Sequence, residues 1–217
     1  MNSMFYACYN LDDINLSSFN TENVTKMGYM FSYCTNLINL NLSNFNTKKV
    51  IFMNEMFCEC NKLKEINLSS FNTMNVYNMS GMFSGCENLI KLDLSSFNAN
   101  NVKKMSCMFY RCYNLSHLDL KNFNAKNVTN LDLMFCKCTS LVNIDLSSFN
   151  LKNIISMDSM FSQCYNLVSI NLSSFNILKH TKIGNIFSKC NNLVIAKINK
   201  SSFVNLVKYN PFIRYKY

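Results

Sequence analysis

Apolar residues return along this chain in fixed columns every 26 residues, without insertion or deletion, from Met4 to Asn185 and into a decayed further copy. Numbered from its Met, each copy places them at positions 1, 2, 5, 8, 11, 13, 16, 21 and 24. Position 1 is Met4, Met30, Met56, Met82, Met108, Met134 and Met160, then Ile186, and a Phe follows every time. Two spacings share the repeat. Positions 11 and 13, as in Leu92 and Leu94 or Ile144 and Leu146, alternate with polar 12 and 14, the period of a strand with one face inward. Positions 21 and 24, then 1, 2 and 5 of the next copy, as in Val76, Met79, Met82, Phe83 and Cys86, are separated by three, three, one and three residues, which is helical spacing.

Each copy therefore reads as a short strand, an Asn and Ser corner, a helix of one to three turns, and a second corner leading to the next strand. A period between 20 and 50 residues marks a solenoid whose contacts run only between neighbouring turns. The prediction is an α/β solenoid of eight turns, a parallel sheet on one face and short helices on the other. Burying a Leu or Phe contributes about 1.5 to 3 kcal/mol, whereas ordering each backbone residue costs about 1 to 2 kcal/mol, so no turn is expected to stand alone. Asn holds position 17 seven times running, from Asn20 to Asn176, and is expected to be a buried amide column serving the corner backbone. The expected domain layout is one solenoid over residues 1–197 and a basic, aromatic cap or tail over 198–217.

Composition is mostly a by-product of the repeat. Of 18 Phe, 15 fall in two columns, and 12 of 14 Met fall in two others, which removes a metal or cofactor reading of the Met content. No run of 18 apolar residues and no basic start followed by an apolar stretch is visible, so neither a membrane span nor a signal peptide is predicted. Because Met4 already holds position 1, the first copy is expected to lack a cap and to expose Phe5, Leu11, Leu16 and Phe19, a route to self-association. Charge is unevenly spread. The overall +9 divides into +1 over residues 1–158 and +8 over the last 59, where Lys179, Lys182, Lys189, Lys197, Lys200, Lys208, Arg214 and Lys216 lie. That end, with Phe203, Tyr209, Phe212, Tyr215 and Tyr217, suits an anionic partner such as nucleic acid or a membrane surface.

The string LDLSSFN at 92–98, with NV at 101–102 and MFxxCxNL at 108–115, resembles the 26-residue bacterial surface-protein repeat of the BspA-like leucine-rich-repeat family. The likeness runs from residue 4 to about residue 195. It implies a leucine-rich-repeat-like, right-handed array, commonly displayed at the cell surface or secreted, that mediates adhesion or binds protein, envelope or host-surface components without catalysis.

Eight of eleven Cys form one column, from Cys8 to Cys190, and are expected to be buried reduced thiols whose parallel side chains give poor bridging geometry. Two CxC pairs, Cys58 with Cys60 and Cys136 with Cys138, lie three copies apart, too far to share one ion. Ser116, His117 and Asp119 hold the residue types of a hydrolytic triad, but alternation along a strand puts Ser116 on the opposite side from the other two. No catalytic, cofactor or metal residue is assigned. The exposed strand face, positions 10, 12 and 14, varies in charge on a fixed frame. Asp93, Asp119 and Asp145 stack at position 12, flanked by Lys91, His117, Lys121 and Asn143, and these seven are the expected partner-contacting patch.

Overall fold

The computed structural model describes residues 1–206 and 214–216. Its strands are β1 (Lys91–Asp93), β2 (His117–Asp119), β3 (Asn143–Asp145), β4 (Ser169–Leu172) and β5 (Ile195–Ile198), followed by α1 (Lys200–Leu206) and β6 (Arg214–Lys216). β1 pairs with β2, and β3 to β6 form a second sheet in chain order, all parallel. Up to β5 the register steps by 26 residues, as in Leu92 with Leu118 and Ile144 with Ile170. The repeat strands sit at positions 10 to 12, β4 and β5 running on to 13, with position 11 turned inward and, in β1 and β3, 10 and 12 exposed.

In the first seven copies a side chain bonds the backbone just past the strand position. The Oδ1 of Asn15, Asn41, Asn67, Asp93, Asp119, Asp145 and Asn171, all at position 12, accepts the backbone N–H two residues on. This local bond competes with the ladder and turns the chain inward at position 13. Among the described residues, the first three copies carry no strand, and no ladder joins β2 to β3.

The opposite side corrects the helix expectation: no helix forms in the repeats, and the apolar columns there lie on a chain of β-turns. Met56, Cys58, Cys60 and Leu63 each donate their N–H to the carbonyl three residues back, while Met53, Glu55, Phe57 and Glu59 donate across to Asn78, Ser80, Met82 and Ser84 of the next copy. Every alternate N–H thus serves its own turn and every other one its neighbour. Positive φ recurs at positions 26 and 4, as in Glu55 (54°), Glu59 (57°), Gly81 (63°) and Gly85 (73°), the third residues of the Met53–Met56 and Phe57–Cys60 turns and of their counterparts in the next copy, as type II geometry requires. A helix about 10 to 12 Å wide cannot stack at the ~4.8 Å interval of a strand ladder, whereas turns can. A parallel bridge at position 23 runs unbroken through Lys26, Phe52, Asn78, Lys104, Asn130, Ser156 and Lys182.

Between the two sides lies one continuous core of columns. The position 2 rings stack from Phe5 to Phe187 at 5.3 to 6.1 Å, and Phe71 to Phe175 at position 16 stack likewise. The Cys column runs beside them. Cys34, Cys60, Cys86, Cys112, Cys138, Cys164 and Cys190 are buried, and each S–H points at the preceding copy's Phe carbonyl at 2.9 to 3.2 Å. Cys8 is half-buried, and all eleven thiols are free.

Two expectations at the corners need correction. The position 17 amides are half-buried or, at Asn20 and Asn150, exposed. They cap turns, since Asn20, Asn46, Asn72 and Asn98 accept the N–H two residues on. The buried corner group is the next residue: Thr21, Thr47 and Thr73 donate to the carbonyl and accept the N–H of the next copy's Asn. At the first copy Leu16 is buried and Phe5, Leu11 and Phe19 are half-buried against the core, while Met4, Tyr6 and Tyr9 are exposed. Residues 1–3 extend the turn ladder, with Ser3 donating to Gly28, and Met1 packs on the core.

Candidate functional site: a charged groove on the strand face

The seven residues expected to form a patch come together. Lys91, Asp93, His117, Asp119, Lys121, Asn143 and Asp145 line one concave groove of about 1530 Å³ along the strand face. Its floor is the inward row, Leu92, Ile144 and Ile170 being buried and Leu118 half-buried, and its walls are positions 10 and 12. The β1–β2 register sets Asp93 beside Asp119 and Lys91 beside His117.

Each acidic side chain is oriented from below. The backbone N–H and hydroxyl of Ser95 hold the Asp93 carboxyl below the usual carboxylate range. At Asp145 burial pushes upward, but hydrogen bonds from the Ser147 hydroxyl and backbone and from Asn171, with the charge of Lys197, outweigh it and lower the pKa. Asp119 has Lys121 at 3.9 Å, and both are largely exposed, so that pair is worth little. The Ser116 hydroxyl lies 2.9 Å from His117 Nδ1, so alternation does not keep the two apart. The contact joins adjacent residues, and Asp119 spends Oδ1 on the Lys121 N–H instead of orienting the imidazole. Among the described residues no three His, Cys, Asp or Glu side chains converge as a metal ion would require.

The groove also takes in residues that the patch did not include: Asn39, Asn41, Glu65 and Asn67 at one end, and Ser169, Asn171, Ile195, Lys197 and Lys216 at the other. Most occupy the same two positions of other copies, and that column membership was the signal. Of the basic end, Lys197 and Lys216 are register partners, Lys200 opens α1, and Lys208, Tyr209, Phe212 and Tyr217 lie outside the described residues.

The turn face carries a different cluster. Arg111 bonds Glu59 at 3.2 Å, Glu87 at 2.6 Å and the Tyr113 hydroxyl at 3.1 Å, which clasps three successive copies. Glu59 reaches Arg111 by lying across Gly85, where an added Cβ would come within 2.5 Å of its carboxylate.

These features define the class: a repeat solenoid of leucine-rich-repeat type with parallel strands, a scaffold architecture. The chain belongs to the family described as "Mycoplasma protein of unknown function, DUF285", which matches residues 1–118, 38–139 and 113–210, and the BspA-like repeat resemblance holds across it. A leucine-rich repeat protein from Bacteroides ovatus, solved by crystallography, aligns with 99% of this chain at 22% identity and a TM-score of 0.52. This chain spans 56% of that protein, so the likeness concerns the fold. A leucine rich cell surface protein from Faecalibacterium prausnitzii aligns more loosely, with 97% of this chain and 74% of its own covered at 16% identity and a TM-score of 0.33. No curated protein matches by sequence. No helix among the described residues is long and apolar enough to cross a membrane.

Proposed function

We propose that the protein is a non-enzymatic interaction scaffold, displayed at the cell surface or secreted, whose groove engages a protein partner on an envelope or host surface. One observation carries the reading: the position 10 and 12 side chains, which differ in charge from copy to copy, line a single concave surface above an apolar floor, beside a turn ladder whose backbone bonding stays constant. A rigid array that varies only where it faces outward suits recognition. Catalysis has no support in the groove, where the one nucleophile-and-imidazole contact lacks an orienting carboxylate.

The test has two parts. Protease shaving of intact source cells should release peptides of this chain; full protection would remove the surface role. Purified protein is then screened against immobilised host extracellular proteins, and Asn143→Trp, which fills the groove, should weaken any binding at least about tenfold. Met74→Trp, at an exposed site outside the groove, should leave it unchanged. Equal loss in both variants, or in neither, would sink the groove as the contact surface.

A further inference from the structure

The groove has two electrical ends. Along position 12 the chain places Asn15, Asn41 and Asn67, then Asp93, Asp119 and Asp145, then Asn171 and Lys197. The β5–β6 register adds Lys216 beside Lys197. The row therefore runs neutral, acidic, neutral, basic, and all of its charged members line the groove. At about 4.8 Å per strand the three carboxylates extend over ~10 Å, and the two ammonium groups begin ~10 Å further on. Lys91 and Lys121 rim the acidic stretch from neighbouring rows and offset part of it, but Glu65 adds to it, so the stretch stays net negative, and the Lys121 ion pair there is long and exposed. An occupant of uniform charge would meet repulsion at one end or the other. Nucleic acid would set phosphates against three aspartates, and a flat lipid surface does not fit a concave floor.

Building on the groove reading above, we propose that the groove takes an extended polypeptide segment with its charges in blocks, basic side chains over Asp93, Asp119 and Asp145 and acidic ones over Lys197 and Lys216. Five strand intervals separate the ends of this row, about 24 Å, which an extended chain spans with roughly seven residues at ~3.3 Å each. The carboxylates are held ready for such a segment, because Oδ1 of each accepts the backbone N–H two residues on, which fixes the side chain's direction.

The probes are two fluorescent nine-residue peptides of identical composition, three Lys, three Gly and three Glu, one arranged in blocks and the other alternating. Fluorescence anisotropy at low salt should show the block peptide binding about tenfold more tightly, an advantage that fades near 0.5 M NaCl as screening shortens the field. The combined variant Asp93→Asn, Asp119→Asn, Asp145→Asn keeps the turn-capping bond that Asn makes at this position in other copies, so it should fold with unchanged melting and lose the preference. Lys197→Gln with Lys216→Gln should lose it as well. Equal affinity for the two peptides, or a preference that survives either variant, overturns the proposal. So does tighter binding of a poly-dT oligonucleotide that depends on the two lysines alone. If a surface partner is lost with Asn143→Trp but retained by the triple Asn variant, the charge arrangement fails while the groove reading stands.

Discussion

The two long faces of the array are built on opposite terms. On the turn side the ladder is continuous, bridged at position 23 in seven successive copies and crossed by an N–H at every second residue. On the strand side the strands are only three or four residues long, β1 to β3 each ending on a capping Asp, and the sheet is interrupted. Regular hydrogen bonding runs beside the uniform, buried Met, Phe and Cys columns, and the looser backbone lies beneath the variable, charged groove. Stability and, on the proposed reading, recognition are thus carried by different walls of the same turn, which lets the groove differ from copy to copy while the stacking rule stays the same.

The largest effect expected from this division is alkaline unfolding that starts on the turn side. Burial pushes Cys34 and Cys58 up to about 11 and Cys190 to about 12, and raises Cys60, Cys86, Cys138 and Cys164 well above their ordinary value. A thiol whose pKa is higher folded than unfolded stabilises the fold fully below the unfolded value near 9, and loses that contribution as pH rises through the folded value. Melting temperature should be level from about pH 6 to 8 and fall steeply between about 9 and 11, at roughly 1.4 kcal/mol per thiol per unit of separation. Cys138→Ala should reduce the fall. A flat profile to pH 11 would mean that the thiols are not buried as the ladder requires.

Next in size is Phe109→Ala, which opens the ring stack in mid-array and should cost about 3 to 5 kcal/mol. Loss of cooperativity in thermal unfolding followed by circular dichroism should accompany it, because neighbouring copies then uncouple. Leu118→Ala, on the groove floor and only half-buried, should cost nearer 2 kcal/mol. If the two cost the same, the faces do not differ as described. Gly85→Ala strains a φ of 73° and displaces Glu59 from Arg111, with an expected loss of about 1 to 3 kcal/mol in chemical denaturation. The smallest change is Asp93→Asn, within about 0.5 kcal/mol of the parent, whereas Asp93→Ala removes the Ser95 cap and should cost about 1 kcal/mol.

The period, the inward columns and the outward alternation of positions 10 and 12 were legible in the sequence, because burial of one face leaves a periodic trace. The turn side was misread for a physical reason. Spacings of three, three, one and three suit both a helix and overlapping β-turns, and only the destination of the N–H groups separates them. Glycine would have revealed the left-handed residues, but positions 26 and 4 hold Tyr29, Tyr33, Glu55, Glu59, Arg111 and Lys137 as well as Gly81 and Gly85. Cross-copy bonding holds these residues in a conformation they disfavour on their own, a tertiary effect with no local signature. Of the groove, the rows could be read but the concavity could not, since curvature arises from mismatch between two stacked faces. Position 12 could have been read more fully: Asn and Asp are the two residues that bond their own backbone two residues on, and their exchange there marks a cap before it marks a charge.

That cap has an evolutionary consequence. Asn and Asp codons differ by a single base, and at position 12 either residue makes the same bond to the same N–H. Each of the first seven copies therefore holds a one-nucleotide switch that rewrites the local charge of the groove while leaving the chain's course unaltered. A gene built of such copies can search for a new partner one switch at a time, with the architecture indifferent to the outcome.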